Sequence, residues 1–521
     1  MKRLRGILGH DAFQILILAV FCLLIIGLSL RGHVGNPTQS DLNTSYWKEN
    51  GPFELSPERG RFALTYALVE NHTFDFSRDM AFFASPDVAT HDGKFVSLFA
   101  PLLSILAVPG YMIGKAFGAS QVGAFAMIGI FAVMNVLLIR ALAVRLGAHP
   151  YAASLAGALF LFGTPAYAYA VNLYQHHVST FLVLVALYAL VKSSRPWTLL
   201  VVFIVSGLAI SLDYPNFFMF FPLGLYALGG ILTYTSVKNT VTVTLSYAKA
   251  WTPLILIVPM FLFFYLNFVS YGNPLQLAGT LPTAQFEQKK SDIASVEVEK
   301  NIQKAPHKKS AVGFFKTRNL LNGFYIEIFS PDRGIIMYAP FILSGFLGMV
   351  VALRRKVPFV SLIVSIIGVN FILYALWGDP WGGWAFGSRY LIPSYALLSI
   401  LIALLLTKWR HRGVFIILFA IIAFYSVAVN TLGALTTSAI PPQVQVLELE
   451  KISGVVQKYT PARNWDMIKA GSSKSFVFEM VFSKHISAFY YYVTITLVLI
   501  TGMWLYMLGL LLDDDPTKKK L

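Results

Sequence analysis

Residues 13–31 read FQILILAVFCLLIIGLSLR, an apolar run with no charge until Arg31. As a helix rising 1.5 Å per residue it would extend about 28 Å, close to the roughly 30 Å hydrocarbon core of a bilayer. A run of this length does not suit the core of a soluble domain. The start, Met1-Lys2-Arg3-Leu4-Arg5, resembles a signal peptide, yet no small-residue cleavage site follows before Arg31, so the run reads as an uncleaved first span.

The rest of the chain repeats the pattern. Of 521 residues, 56% are hydrophobic and 13% charged, about half the charged share of a soluble domain. Apolar stretches of spanning length fall near 13–31, 121–141, 150–172, 177–192, 197–212, 216–234, 251–270, 335–353, 358–376, 388–407, 413–432 and 487–511. The expected fold is therefore an all-α polytopic membrane protein with about twelve transmembrane helices. The segment Leu98–Phe117 is apolar but carries Pro101 and Pro109. It would be a thirteenth span if it crossed; because crossing would invert everything downstream, it is placed outside as interfacial helix.

Net charge is +16. The positives gather in alternate segments: Lys2, Arg3 and Arg5; Arg140 and Arg145; Lys192 and Arg195; Lys238 and Lys249; Arg354, Arg355 and Lys356; Lys408, Arg410 and Arg412; Lys518, Lys519 and Lys520. The turns near 173–176, 213–215 and 377–387 have no Lys or Arg. That asymmetry puts both termini in the cytoplasm and makes nucleic acid an unneeded explanation of the charge. The single cysteine, Cys22, lies within the first run, so no intramolecular disulfide and no cysteine metal site can form. The charge pattern fits a bacterial inner membrane.

The expected layout is 1–31, cytoplasmic terminus and first span; 32–120, external loop; 121–270, helical core; 271–334, external loop; 335–432, further spans with an external Trp/Gly/Arg loop; 433–486, external loop; 487–521, last span and tail. Within the second loop, Glu287 to Lys309 is polar, lysine-rich and expected to be mobile. No internal repeat relates the halves, which counts against transporters built from repeated bundles.

The first external loop contains Asp41 and Glu54 and then Ser56-Pro57-Glu58-Arg59-Gly60-Arg61-Phe62-Ala63. Ser56 suits an N-cap, Pro57 the first helical position, and Glu58 the first turn, where its charge complements the helix dipole. Further on come Asp87 and Asp92-Gly93-Lys94, ahead of the proline-bearing apolar segment. Several carboxylates thus precede an interfacial helix, where a lipid-borne substrate would present its headgroup.

Here the chain resembles GT-C type membrane glycosyltransferases, the group of protein O-mannosyltransferases, lipid A aminoarabinose transferases and their bacterial relatives. Glu58-Arg59-Gly60-Arg61-Phe62-Ala63 is similar to their acidic motif Asp-Glu-x-Arg-Tyr-Ala, with Glu for the Asp and Arg59 for the second acid. Asp92-Gly93-Lys94 and Pro101 are similar to the downstream Asp-Gly, basic residue and proline-bearing helix, with Phe99-Ala100-Pro101 where Lys-Pro-Pro is usual. Two later stretches match in order: Tyr271-Gly272-Asn273-Pro274 with Phe329-Ser330-Pro331-Asp332-Arg333-Gly334, and Trp377-Gly378-Asp379-Pro380-Trp381 leading to Gly387-Ser388-Arg389-Tyr390. The resemblance implies transfer of a hexose or pentose from a polyprenyl-phosphate donor to a lipid, glycan or protein acceptor. By resemblance Glu58 is the first choice for base and Asp87 the second, with Arg61, Asp92, Lys94, Arg333 and Arg389 binding substrate.

The chemistry agrees with that reading. Transfer needs a base for the acceptor proton and cations for the departing phosphate, and a planar guanidinium suits phosphate. Other roles are open to the same residues. Arg389 could neutralise Asp379, Arg333 could pair with Asp332 in a turn, and Trp377, Trp381 and Trp384 suit an aromatic belt. Asp213 reads as structural, and His176 and His177 lack a carboxylate at ligand spacing. No cofactor is called for, although the loop acids would equally suit a divalent cation. A transporter, a lipid-linked glycan polymerase or ligase, and an inactive glycan-binding scaffold are the competing functions.

Overall fold

The computed structural model describes residues 10–237, 240–284, 286 and 311–513. Lys2, Arg3, Arg5, Lys238, Lys518, Lys519 and Lys520, and the Glu287–Lys309 stretch, lie outside the described residues.

Among the described residues the α-helices of eight residues or more are α1 (His10–Ser29), α2 (Ser56–Tyr66), α3 (Leu102–Ala116), α4 (Ser120–Arg145), α5 (Pro150–Phe162), α6 (His176–Lys192), α7 (Pro196–Leu212), α8 (Asn216–Gly229), α9 (Ile257–Tyr271), α10 (Leu320–Ile328), α11 (Leu343–Arg354), α12 (Val360–Ala375), α13 (Ile392–Trp409), α14 (Gly413–Leu435), α15 (Gln443–Ser453), α16 (Ala462–Lys469) and α17 (Ala488–Leu512). Among the described residues six segments are long and apolar enough to cross a membrane: Asp11–Ser29, Ser120–Arg145, Tyr247–Tyr271, Arg389–Trp409, Gly413–Leu435 and Ala488–Leu512. Seven shorter apolar helices accompany them. Every stretch expected to span coincides with one of these helices, and the chain is an α-helical polytopic membrane protein.

Three expected spans are shorter than their apolar runs; in 335–353 the long helix α11 starts only after a break at Ala339-Pro340. The run 150–172 breaks after α5 at Gly163-Thr164-Pro165, where the Thr164 hydroxyl donates back to Phe160 O at 2.6 Å and a proline follows. The run 216–234 ends at Gly229; beyond it, alternating Thr and Val form an antiparallel hairpin of β3 (Leu232–Val237) and β4 (Thr240–Leu245). Apolar content alone does not separate these cases. The β-branched residues favour strand once Gly229-Gly230 has ended the helix.

Helix contacts follow membrane rules, with small residues where backbones approach. The Leu98–Phe117 segment forms α3, which packs against α4: a Cβ on Gly123 would stand 2.1 Å from Gly110 O, so only glycine fits this crossing. The Ser104 hydroxyl of α3 donates to Arg61 O at 3.0 Å, and the Thr65 hydroxyl of α2 donates to Ser104 O at 3.0 Å. The first loop is thereby fastened along α3.

The first loop is also tied to the C-terminal one through a buried charge cluster. Glu54 accepts from Arg31 at 3.2 Å and Lys474 at 2.7 Å, and from the Ser438 amide at 3.1 Å. Burial alone would raise the Glu54 carboxyl, but Lys474 and Arg31 hold it below the usual carboxylate range. Arg31 is fully buried and also donates to Gly433 O at 2.6 Å. Arg31→Ala strands part of this charge, and removing one member of a buried pair costs about 3–5 kcal/mol. We expect a marked fall in the melting temperature of the purified Arg31→Ala protein; an unchanged melting temperature would contradict this role.

Candidate active site

Leu55, not the expected Ser56, is the N-cap of α2: Ser56 takes the first helical position, with its hydroxyl turned to Asp87, Pro57 the second and Glu58 the third. There Glu58 Oε1 accepts from the Leu55 amide at 2.8 Å, which fixes the side chain at the helix start. Glu58 is fully buried, and Oε2 has no hydrogen-bond partner among the described residues. Burial, and secondarily the nearby Glu54, push its carboxyl up to about 7. The backbone contact is an ordinary capping arrangement; the unpartnered oxygen is not accounted for by it.

One turn along α2, Arg61 is nearly as buried. Its Nη1 donates to Pro57 O at 3.0 Å and Nη2 to Gln175 Oε1 at 2.7 Å. Gln175 passes the connection on through Nε2 to Asp213 Oδ2 at 2.9 Å. The Arg61 guanidinium lies over Phe99 at 4.3 Å and 5.6 Å from the ring centre of Tyr174. Burial pulls it down to about 10 against the opposing charge of Asp213, so Arg61 remains a cation at neutral pH.

Arg389 approaches the same tyrosine, 5.1 Å from its ring centre. Its Nη2 donates to Gly382 O at 2.7 Å, whereas Nε and Nη1 are buried without a hydrogen-bond partner of normal geometry. No ion pair joins it to Asp379 among the described residues; Asp379 instead accepts from the Gly383 amide at 2.6 Å. Tyr174 Oη and His176 Nε2 are likewise buried and unpartnered, and His176 stacks near the Tyr174 ring at 6.0 Å. The charge of Glu58 bears on the Tyr174 phenol. Two guanidiniums therefore share the Tyr174 ring as their common neighbour, and the Tyr174 phenol also feels the charge of Glu58.

This grouping is drawn from the turns at 173–176 and 213–215, the start of α13 and helix α2, so segments distant in sequence meet at one end of the bundle. Buried unpartnered donors are costly unless something accepts from them, and a phosphate oxygen is the acceptor that two guanidiniums match best. Among the described residues no group of three or more His, Cys, Asp or Glu that could hold a metal ion is present.

The other expected residues are placed differently. Asp87 is near: its Oδ2 accepts from the Ser56 hydroxyl at 2.5 Å, and its charge bears on Arg61. Asp92 and Lys94 form the tip of a hairpin of β1 (Val88–His91) and β2 (Lys94–Ser97), with Asp92 at φ 47°. Their side chains are 83% and 64% exposed, and Lys94 pairs with Asp75 at 2.6 Å rather than with the cluster. Arg333 is fully buried with its donors engaged: to Trp381 O at 2.9 Å, Asp332 O at 2.7 Å, Gly383 O at 2.8 Å and Ile440 O at 2.9 Å. It clamps the 377–387 loop to the C-terminal one. Trp377 stacks on Phe314 at 5.5 Å, and Trp384 donates to Gln445 at 2.9 Å.

No family model matches the chain, and no curated protein does. Among solved structures it is similar to ArnT from Cupriavidus metallidurans in the apo state, with a TM-score of 0.45 and 14% identity. It is also similar to that protein bound to undecaprenyl phosphate, with a TM-score of 0.48 and 15% identity. Each match covers 95% of this chain and 76% of the other.

Three residues of the cluster escape a reading of the sequence. Tyr174 and Gln175 look like ordinary turn residues, and Asp213 looks structural beside Tyr214-Pro215. The available signal was their shared setting: polar residues in cation-free turns at the ends of spans, where a bilayer protein has little reason to bury a carboxylate except against a cation.

Proposed function

We propose that the protein is a glycosyltransferase that moves a hexose or pentose from a polyprenyl-phosphate donor to an acceptor hydroxyl at the extracytoplasmic face. The membrane would be the bacterial inner membrane, with both termini cytoplasmic. The observation that carries this reading is the pair of buried guanidiniums, Arg61 and Arg389, at 5.6 and 5.1 Å from the Tyr174 ring, with Arg389 Nε and Nη1 buried beside Tyr390 and without a hydrogen bond of normal geometry.

The step follows from these groups. The acceptor oxygen attacks the anomeric carbon, Glu58 takes the acceptor's proton, and the bond from that carbon to the phosphate oxygen breaks. The electron pair leaves with the polyprenyl phosphate, whose charge Arg389 and Arg61 hold. A general base works best with a pKa near the ambient pH, and a carboxyl pushed up to about 7 meets that condition. Asp87, joined to Ser56 beside Glu58, is the second candidate for the acceptor side.

The test is the full-length protein in nanodiscs, supplied with polyprenyl-phosphate sugars and an extract of envelope lipids, with release of polyprenyl phosphate measured. Sugar transfer coupled to that release is the expected result. Solute uptake by proteoliposomes, with no release of polyprenyl phosphate, would replace this reading with a transporter.

A further inference from the structure

The Arg61 guanidinium is fixed from three directions. Its Nη1 donates to Pro57 O at 3.0 Å, one turn back on α2, and its face rests on the Phe99 ring at 4.3 Å. Phe99 can pack there because position 60 is glycine: a Cβ at Gly60 would stand 3.1 Å from the ring. The Tyr271 hydroxyl fastens the Phe99 backbone in turn, donating to Phe99 O at 3.3 Å. The third direction is the Gln175 amide, which accepts from Arg61 Nη2 at 2.7 Å and donates to Asp213 Oδ2 at 2.9 Å.

That amide has only one orientation that serves both neighbours. A guanidinium only donates and an ionised carboxylate only accepts, so the amide oxygen must face Arg61 and the amide nitrogen Asp213. The backbone that presents Asp213 is set without its carboxylate. Asp213 O accepts from the Asn216 amide at 3.0 Å, and Asn216 Nδ2 donates to Ala209 O of α7 at 2.8 Å and to Ser179 Oγ of α6 at 3.0 Å. These bonds pin the α7–α8 turn to α6, which starts directly after Gln175. Among the described residues no Lys, Arg or His pairs directly with Asp213. With the neutral amide between them, the carboxylate anchors the guanidinium without forming an ion pair that would compete with a phosphate.

We infer that Gln175 and Asp213 are positioning residues for the donor's phosphate: Asp213 orients the Gln175 amide, and Gln175 aims the Arg61 guanidinium. The inference rests on the transferase reading, in which Arg61 holds the departing phosphate. It adds two residues that act on the phosphate only through Arg61. A binding group is useful only when held within about 0.5 Å of its productive place, which neighbouring hydrogen bonds secure by locking its rotamer.

The probe is undecaprenyl phosphate, bound to the full-length protein in nanodiscs. Asp213→Asn and Asp213→Ala remove the same charge, but the asparagine oxygen can still accept from Gln175 Nε2, so the difference between the two isolates that hydrogen bond. Asp213→Asn should bind undecaprenyl phosphate about fivefold more tightly than Asp213→Ala, the scale of one net hydrogen bond. In a Gln175→Leu background the two should bind equally, because the link to Arg61 is already cut. A merely structural role for position 213 would keep the difference in that background. Melting temperatures are read in parallel, and Gln175→Ala serves the same cycle if Gln175→Leu does not fold. Equal affinities of the two Asp213 variants with Gln175 in place, or a difference that persists once Gln175 is replaced, overturn the positioning role. A wild type that does not bind undecaprenyl phosphate overturns the transferase reading itself.

Discussion

Glu58→Gln is expected to reduce sugar transfer by a factor on the order of 10²–10⁴, the usual contribution of a general base. The amide keeps the bond to Leu55 N through its own oxygen and removes only the capacity to take a proton, so the protein should fold normally. Two pH signatures separate this role from a structural one. Transfer by the wild type should rise through pH of about 7 as the carboxyl ionises, and the residual rate of the variant should lose that step. Stability should run the other way. With its folded pKa raised above the ordinary value, Glu58 stabilises least where it is ionised, so its contribution falls as pH rises from about 4.5 to about 7. Glu58→Gln should therefore be more stable than the wild type above pH 7, by on the order of 3 kcal/mol, with the gain fading toward pH 4.5. Melting curves at pH 5 and pH 8 check the sign. Full transfer by the variant would remove Glu58 from the mechanism.

Arg389→Ala is expected to weaken binding of undecaprenyl phosphate by about 10²–10³, within the roughly 2–5 kcal/mol lost when one partner of a buried, hydrogen-bonded charge pair is truncated. Arg389→Lys should recover only part of that, since an ammonium supplies the charge without the planar fork. Asp92→Ala and Lys94→Ala, at the exposed tip of the β1–β2 hairpin, should leave lipid binding unchanged. Binding to nanodisc-embedded protein, measured over a salt series, tests all four. Equal losses at the hairpin and at Arg389 would mean that the phosphate sits elsewhere.

The fold class needed only the sequence, because a span is a local property: about twenty apolar residues must satisfy their backbone within one helix whatever surrounds them. The same locality made Glu58 legible, since Ser56-Pro57-Glu58 marks a helix start wherever it occurs. Charge identity was legible too, and Arg389 stood out as a guanidinium at the end of a span. The breaks at Gly163 and Gly229 were harder to read because the residues on both sides remain apolar, and only turn chemistry separates them.

Which charges are satisfied was decided by the tertiary structure. Arg333 and Arg389 both follow glycine-rich or proline-bearing turns and look alike in sequence, but Arg333 meets four carbonyls from three loops whereas Arg389 meets one. Glu54 and Glu58 lie four residues apart on one loop and helix start, but Glu54 faces Arg31 and Lys474 from distant segments while Glu58 keeps one oxygen free. Pairing of this kind depends on which distant backbone and side-chain atoms arrive within about 3 Å, a distance that no local pattern encodes. The sequence by itself determined that the chain crosses a membrane and which residues carry charge; the packing of four separate segments around Tyr174 decided which of those charges the protein itself satisfies.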